Sequence, residues 1–190
     1  VAYFAAVLAR TEDGWSVNET ELDDVETLAD LADLAREASE EEETVLVFIE
    51  QEDAWFAVVR VDGEEDPRIF VSDGAAAARS AYGEIVLTDE LVGRSPGDEL
   101  DDLDNLVAEL DDDPSDGSGS ASDDDEDDDS PVAGADGVPA GPLGDTEVLT
   151  EFGISAKALL AMSGEGAVPG DALSEIAESL GCGEVLEAVR

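Results

Sequence analysis

Residues 123–129 read DDDEDDD, seven carboxylates in succession with no basic residue nearby. Carboxylates at this density have three chemistries open to them: acid–base work as a pair, divalent-cation binding, or attraction of a basic macromolecule. Six or more like charges repel one another, so the run is expected to be disordered. A calcium loop needs oxygen ligands at fixed offsets, a central glycine and a terminal glutamate, and the run has none of that order. Loose attraction of Mg²⁺ or Ca²⁺ is the most it offers a metal. A glycosidase-like pair must be singled out by position, and nothing separates one pair from the 52 Asp and Glu of the chain.

Other reactive side chains are scarce. The chain has no histidine, which removes the commonest general base, the Ser-His-Asp and Cys-His arrangements and the usual zinc ligands. The H-x-E and P-C-x-x-C signature of the cytidine and adenosine deaminases is absent. So are the glycine-rich phosphate loops G-x-x-x-x-G-K-S/T and G-x-G-x-x-G. Cys182, in LGCGEVLE, is the single cysteine, which excludes an internal disulfide framework and a multi-cysteine zinc site. Its acidic neighbours disfavour the thiolate, so it reads as a packed residue. Trp15 and Trp55 read as large core or edge residues of a sheet. No catalytic residue, metal or cofactor is assigned, and the expectation is a protein that is not an enzyme.

Against 52 acids stand 8 Lys and Arg, a formal charge of −44 over 190 residues. Such a charge opposes direct association with RNA, DNA or an anionic membrane. Only Arg10, Arg36, Arg60, Arg68, Arg79, Arg94, Lys157 and Arg190 could meet a phosphate, and they never cluster. A basic protein is the easier partner. Adaptation to high cytoplasmic salt also produces acidic chains, but would not by itself pile the acids into one segment. No stretch is long and apolar enough to cross a bilayer. The N-terminus lacks a basic region and cleavage signal, and Val1 reads as an alternative start codon translated literally; the expected location is the cytoplasm.

Hydrophobic residues make up 43% of the chain, too many for a wholly disordered polymer. AYFAAVLAR and TEDGWSVNETEL read as strands joined at Asp13-Gly14. In DDVETLADLADLAREASEE the period changes: Val25, Leu28, Leu31, Ala32 and Ala35 form one stripe of a helix, with Asp23 or Asp24 as its cap. TVLVFIE, DAWFAVVRVD and PRIFVSD follow as three strands rich in β-branched and aromatic residues. In the second, Trp55, Ala57, Val59 and Val61 share one face, and Phe56, Val58 and Arg60 the other. A helix from Gly74 to Tyr82, capped by Ser72 or Asp73, closes the segment. The order β-β-α-β-β-β-α predicts an α+β domain over 1–94, a small antiparallel or mixed sheet with helices on one face.

From Ser95 to Ala156 there are 21 acids and no Lys or Arg. Residues 95–110 keep Leu103, Leu106 and Leu110 at helical spacing and read as an acidic amphipathic helix, formed on the domain edge or against a partner. Residues 111–145 read as a disordered acidic and Gly/Pro-rich linker. Order is expected again over 146–190, a small helical module with Ser155 as a cap and Gly153 and Gly181 as helix ends. At this size it needs the first domain, another copy or a partner to complete its core.

The opening AYFAAVLART, the segment WFAVVRVDG followed by DPRIFVSD and AAAARS, and the ending ALSEIAESLGCGEVLEAVR resemble the actinobacterial tRNA adenosine deaminase-associated proteins. The likeness covers both expected folded parts, about two-thirds of the chain. The resemblance implies a link, through neighbouring genes, to the deaminase of the tRNA wobble position, and brings no catalytic residues with it. The leading expectation is therefore an acidic, non-catalytic accessory protein that binds a basic protein, the tRNA adenosine deaminase, without touching nucleic acid or membrane. Its partner-binding residues would be Asp123, Asp124, Asp125, Glu126, Asp127, Asp128 and Asp129, with Leu103, Leu106 and Leu110. Two alternatives stay open: a homodimer whose C-terminal helices complete each other's core, with the acids solubilising it, and a divalent-metal-dependent enzyme.

Overall fold

The computed structural model describes residues 3–39, 43–88, 91–92, 138–164 and 166–190. Strands β1 (Tyr3–Thr11), β2 (Gly14–Glu19), β3 (Thr44–Gln51), β4 (Trp55–Asp62), β5 (Arg68–Val71) and β6 (Leu143–Gly144) form one sheet in the order β2-β1-β3-β4-β5-β6. Every neighbouring pair is antiparallel. The helices are α1 (Leu28–Ala38), α2 (Gly74–Ala77), α3 (Ala81–Val86), α4 (Ala156–Met162), α5 (Pro169–Leu180) and α6 (Gly183–Val189). A single 3₁₀ turn, Thr150–Phe152, precedes α4.

The central strands are buried on both sides. Val47, Ile49, Ala57 and Val59 point to the layer that holds Leu31, Ala32, Ala35, Ile85 and Val86. Their neighbours Leu46, Phe48, Phe56 and Val58 point the other way, onto Leu159, Leu173, Ile176 and Leu186. An antiparallel sheet usually leaves one face to water and alternates accordingly; one covered on both faces carries unbroken apolar runs, and VLVFI is such a run. The expectation of helices on one face is corrected here: α1 and α3 cover one face, and the C-terminal helices cover the other. Those helices thus bury their apolar stripe on the chain's own sheet.

Local signals account for most element ends. The hairpin β1–β2 turns at Glu12 and Asp13, with Thr11 opposite Gly14. Helix α1 starts later than its apolar stripe suggests. Its cap is Thr27 rather than Asp23 or Asp24, because Thr27 and Asp30 bond reciprocally: the Asp30 N–H donates to Thr27 Oγ1 (3.2 Å) and the Thr27 N–H to Asp30 Oδ2 (3.1 Å). Val25 lies in the connection ahead of it and is buried all the same. The helix expected from Gly74 to Tyr82 is two short ones, capped at Asp73 and Ser80. Gly181 ends α5 in the left-handed region, at φ 84°.

Residues 138–145 correct the expected linker at its C-terminal end. Phe70 and Val71 of β5 pair with Gly144 and Leu143, and the Gly74 N–H donates to the Gly141 carbonyl at 2.8 Å. Gly144 has φ 92°, and a Cβ there would strike the Ile69 carbonyl, so only glycine lets this short strand lie against β5. The rest of the expected linker and the whole expected helix 95–110 lie outside the described residues.

Arg60 decides how the second layer is seated. It projects from the middle of β4 onto the C-terminal side and is 7% exposed. Its Nη1 donates to the Val148 carbonyl (3.2 Å) and its Nη2 pairs with Glu151. Its Nε lies 2.7 Å from Asp62 Oδ2 but does not aim its N–H along that line, so this contact is an ion pair rather than a hydrogen bond. The guanidinium also sits 5.1 Å from the Phe152 ring centre. Arg60→Ala is expected to lower stability by about 2–4 kcal/mol, since it orphans Asp62 and the buried Val148 carbonyl. Glu151→Gln should cost less than about 1 kcal/mol, because Glu151 is 67% exposed. Urea unfolding of both variants checks this; equal losses would place the stabilisation in the Glu151 pair instead of the burial.

Candidate functional site

The acidic residues Asp123, Asp124, Asp125, Glu126, Asp127, Asp128 and Asp129, and Leu103, Leu106 and Leu110, all lie outside the described residues. What the structure does place is the small set of cations against which those acids are to be weighed. Among the described residues, every ion pair is made by Arg36, Arg60, Arg68 or Arg190. All four are turned to internal work. Arg36 donates to the carbonyls of Gly63 (2.9 Å) and Glu65 (3.3 Å) and ties α1 to the β4–β5 turn. Arg68 meets Asp145 at 2.6 Å and fixes the start of the C-terminal segment. Arg190 pairs with Glu50 of β3, donates to the Gly170 carbonyl (3.1 Å) and lies over the Phe4 ring. Arg10, otherwise exposed, is 5.9 Å from the ring centre of Phe152. Among the described residues Arg10, Arg79 and Lys157 remain as exposed cations outside these ion pairs, among many more exposed carboxylates.

Several groups that could do bond chemistry are likewise engaged, although the buried Tyr3 hydroxyl has no hydrogen-bond partner among the described residues. Ser72 Oγ accepts the Phe56 N–H at 2.9 Å, and Asp73 Oδ1 accepts the Ala76 N–H at 2.9 Å. Cys182 is buried at the start of α6, and burial pushes its thiol up to about 11, away from the thiolate needed for attack. The Glu50 carboxyl is also raised: burial is the main cause, the Arg190 guanidinium pulls it back down, and Glu52, Asp171 and Asp53 add to the rise. Glu50, Arg190, Glu19 and Tyr3 line a cleft of 280 Å³ at one end of the sheet. There the one buried carboxylate is already answered by its own cation. Among the described residues no group of three His, Cys, Asp or Glu converges as a metal site.

Among the described residues, a different surface is left without an internal partner. Two adjoining clefts open where the C-terminal helices meet the sheet. The larger, 720 Å³, runs between Asp53 and Asp73 on the sheet side and Leu160 and Met162 on α4. The second, 590 Å³, lies between α4 and α5 and shares Met162 with the first. Leu160 and Val168, 41% and 46% exposed, are two of the three large apolar side chains among the described residues that stand clear of the core. Asp53, at the tip of the β3–β4 turn, holds φ 58° and reaches the rim of the larger cleft. The cleft between α4 and α5 has an apolar floor, and both clefts carry carboxylates on their rims. Sequence reasoning missed them. Leu159 and Leu160 are adjacent, and only the packed structure tells which is core (Leu159, fully buried) and which is surface.

Glu50 carries a pH prediction. Its folded-state pKa lies above the unfolded value, so its contribution is fully present below the ordinary glutamate range of about 4.3 and is lost as pH rises through the raised value. The stability of the native protein relative to Glu50→Gln should therefore fall as pH is raised from about 4 to about 7. Thermal melts of the two proteins across that range test it; a relative stability that rises with pH would mean the Arg190 attraction outweighs burial.

Residues 3–183 match the model of the Rv3753c-like tRNA adenosine deaminase-associated protein family. The match takes in both the sheet and the C-terminal layer, and the chain belongs to that family. No curated protein and no solved structure matches it.

Proposed function

We propose that this family member is a non-catalytic accessory protein that binds a basic partner, the tRNA adenosine deaminase of the family's name, and modulates wobble-base editing of tRNA. The observation that carries the reading is the placement of the arginines. Arg36, Arg60, Arg68 and Arg190 are each tied to carbonyls or carboxylates of the fold itself, which leaves Arg10, Arg79 and Lys157, among the described residues, as the cations outside those ties in a chain with 52 carboxylates. A protein that handles tRNA must present a cationic surface to a polyanion. The acidic run Asp123–Asp129 has the charge to compete for that surface, and the apolar groove between α4 and α5 supplies a contact that charge alone cannot make specific.

The dimer reading loses its main motive, because α5 and α6 already share a core with β1, β3 and β4 of the same chain. Binding of the deaminase from the same organism, titrated with and without tRNA, is the direct test. Saturable binding is expected, displaced by tRNA and weakened roughly tenfold or more between about 0.1 and 0.5 M salt. Deleting 111–129 should reduce both the affinity and its salt dependence. An unchanged affinity in the deletion would dispose of the acidic run as the competitor for the RNA surface, and no binding at either salt would dispose of the deaminase as partner.

A further inference from the structure

We propose that the groove between α4 and α5 seats an amphipathic, basic helix of the protein partner; the inference builds on the accessory reading and names the surface and the chemistry that fits it. From α4 come Ala158, Ala161 and Met162, and from α5 and its entry come Val168 and Ala172. The spacing within each set is three or four residues, or one, so each helix offers a single stripe. Small alanines on the floor let a helix backbone come close, and Met162 can adjust to the shape that enters. Two helical stripes with a 590 Å³ groove between them are the geometry that receives the apolar face of a third helix.

Charge selects the occupant. Asp171 and Glu175 line the same groove, four residues apart on α5 and both exposed. An entering helix with Lys or Arg four residues apart could pair with both. The chain's own DELDDLDNLVAEL has suitable apolar spacing but would bring carboxylates against carboxylates. Asp53 and Asp73 extend the acidic rim along the adjoining cleft, where Leu160 offers a further apolar contact.

The test uses the full chain, labelled with ¹⁵N, and a basic Leu/Lys helical peptide at about 0.5 M salt, where diffuse attraction to the other acids is screened. Amide shifts are expected to concentrate at residues 156–175. Two variants, Ala161→Ser with Val168→Ser and Asp171→Asn with Glu175→Gln, should each weaken binding roughly tenfold. The control, Glu184→Gln with Glu187→Gln on α6, should bind as the native protein does. Thermal melts establish that all three remain folded. Shifts scattered over the surface, or equal affinity in all variants, would overturn the groove. Deaminase that displaces the peptide ties the groove to that enzyme. Deaminase that binds without displacing it leaves the accessory reading standing and overturns the groove as the enzyme's site. A peptide that maps to the groove while the deaminase fails to bind supports the groove and removes the deaminase as its partner.

Discussion

Everything in this fold follows from having to take both faces of one antiparallel sheet out of water. Strands β3 and β4 are apolar at nearly every position, so covering one face with α1 and α3 leaves Leu46, Phe48, Phe56, Val58 and Phe70 to be covered as well. Full burial of each such side chain is worth about 1.5–3 kcal/mol. That is more than enough to hold α4, α5 and α6 in place although they come from the far side of a long acidic stretch. The entropic cost of bringing two segments together grows only slowly with the length of chain between them. Sheet edges are treated differently: β2 is largely exposed and polar at Ser16, Asn18 and Glu19, and β6 is only two residues long, so neither edge offers a long apolar template to another chain.

Within the second layer, apolar burial supplies the attraction and the arginines supply the register. Arg60 near the middle, Arg68 at the entry and Arg190 at the far end each join the sheet to a different part of the C-terminal segment. In a chain this acidic, a buried carboxylate such as Glu50 is costly unless a cation accompanies it. Arg60, Arg68 and Arg190 are accordingly found beside carboxylates of the sheet and the C-terminal segment. Gly170 belongs to the same arrangement, since a side chain there would collide with the Arg190 guanidinium.

The consequence for function is an exterior whose charge is almost all of one sign, interrupted by an apolar seam where the two layers meet. Long-range attraction and short-range fit are then supplied by different parts of the molecule. Carboxylates attract positive charge from a distance and are weakened by salt. The clefts beside Leu160, Met162 and Val168 act only on contact and are indifferent to it. On the proposed reading, this division would let the protein meet an RNA-handling partner quickly and still discriminate among basic surfaces.

Much of this was legible in the chain itself. Apolar patterning located β1 to β5, α1 and the C-terminal helices, because each side chain's direction is set by its own backbone. The alternation in DAWFAVVRVD assigned Trp55 and Phe56 to opposite faces for the same reason. The composition, with no histidine and 52 acids, bounded the chemistry before any fold was known. Tertiary structure alone decided what covers the second face, which of Leu159 and Leu160 is core, that Arg60 grips the Val148 carbonyl, and that Pro142 is followed by a strand rather than more linker. These depend on contacts between residues 70 or more positions apart, such as Arg60 with Val148 and Arg68 with Asp145. A local pattern records which way a side chain points; it carries no record of the partner that the rest of the chain will bring to meet it.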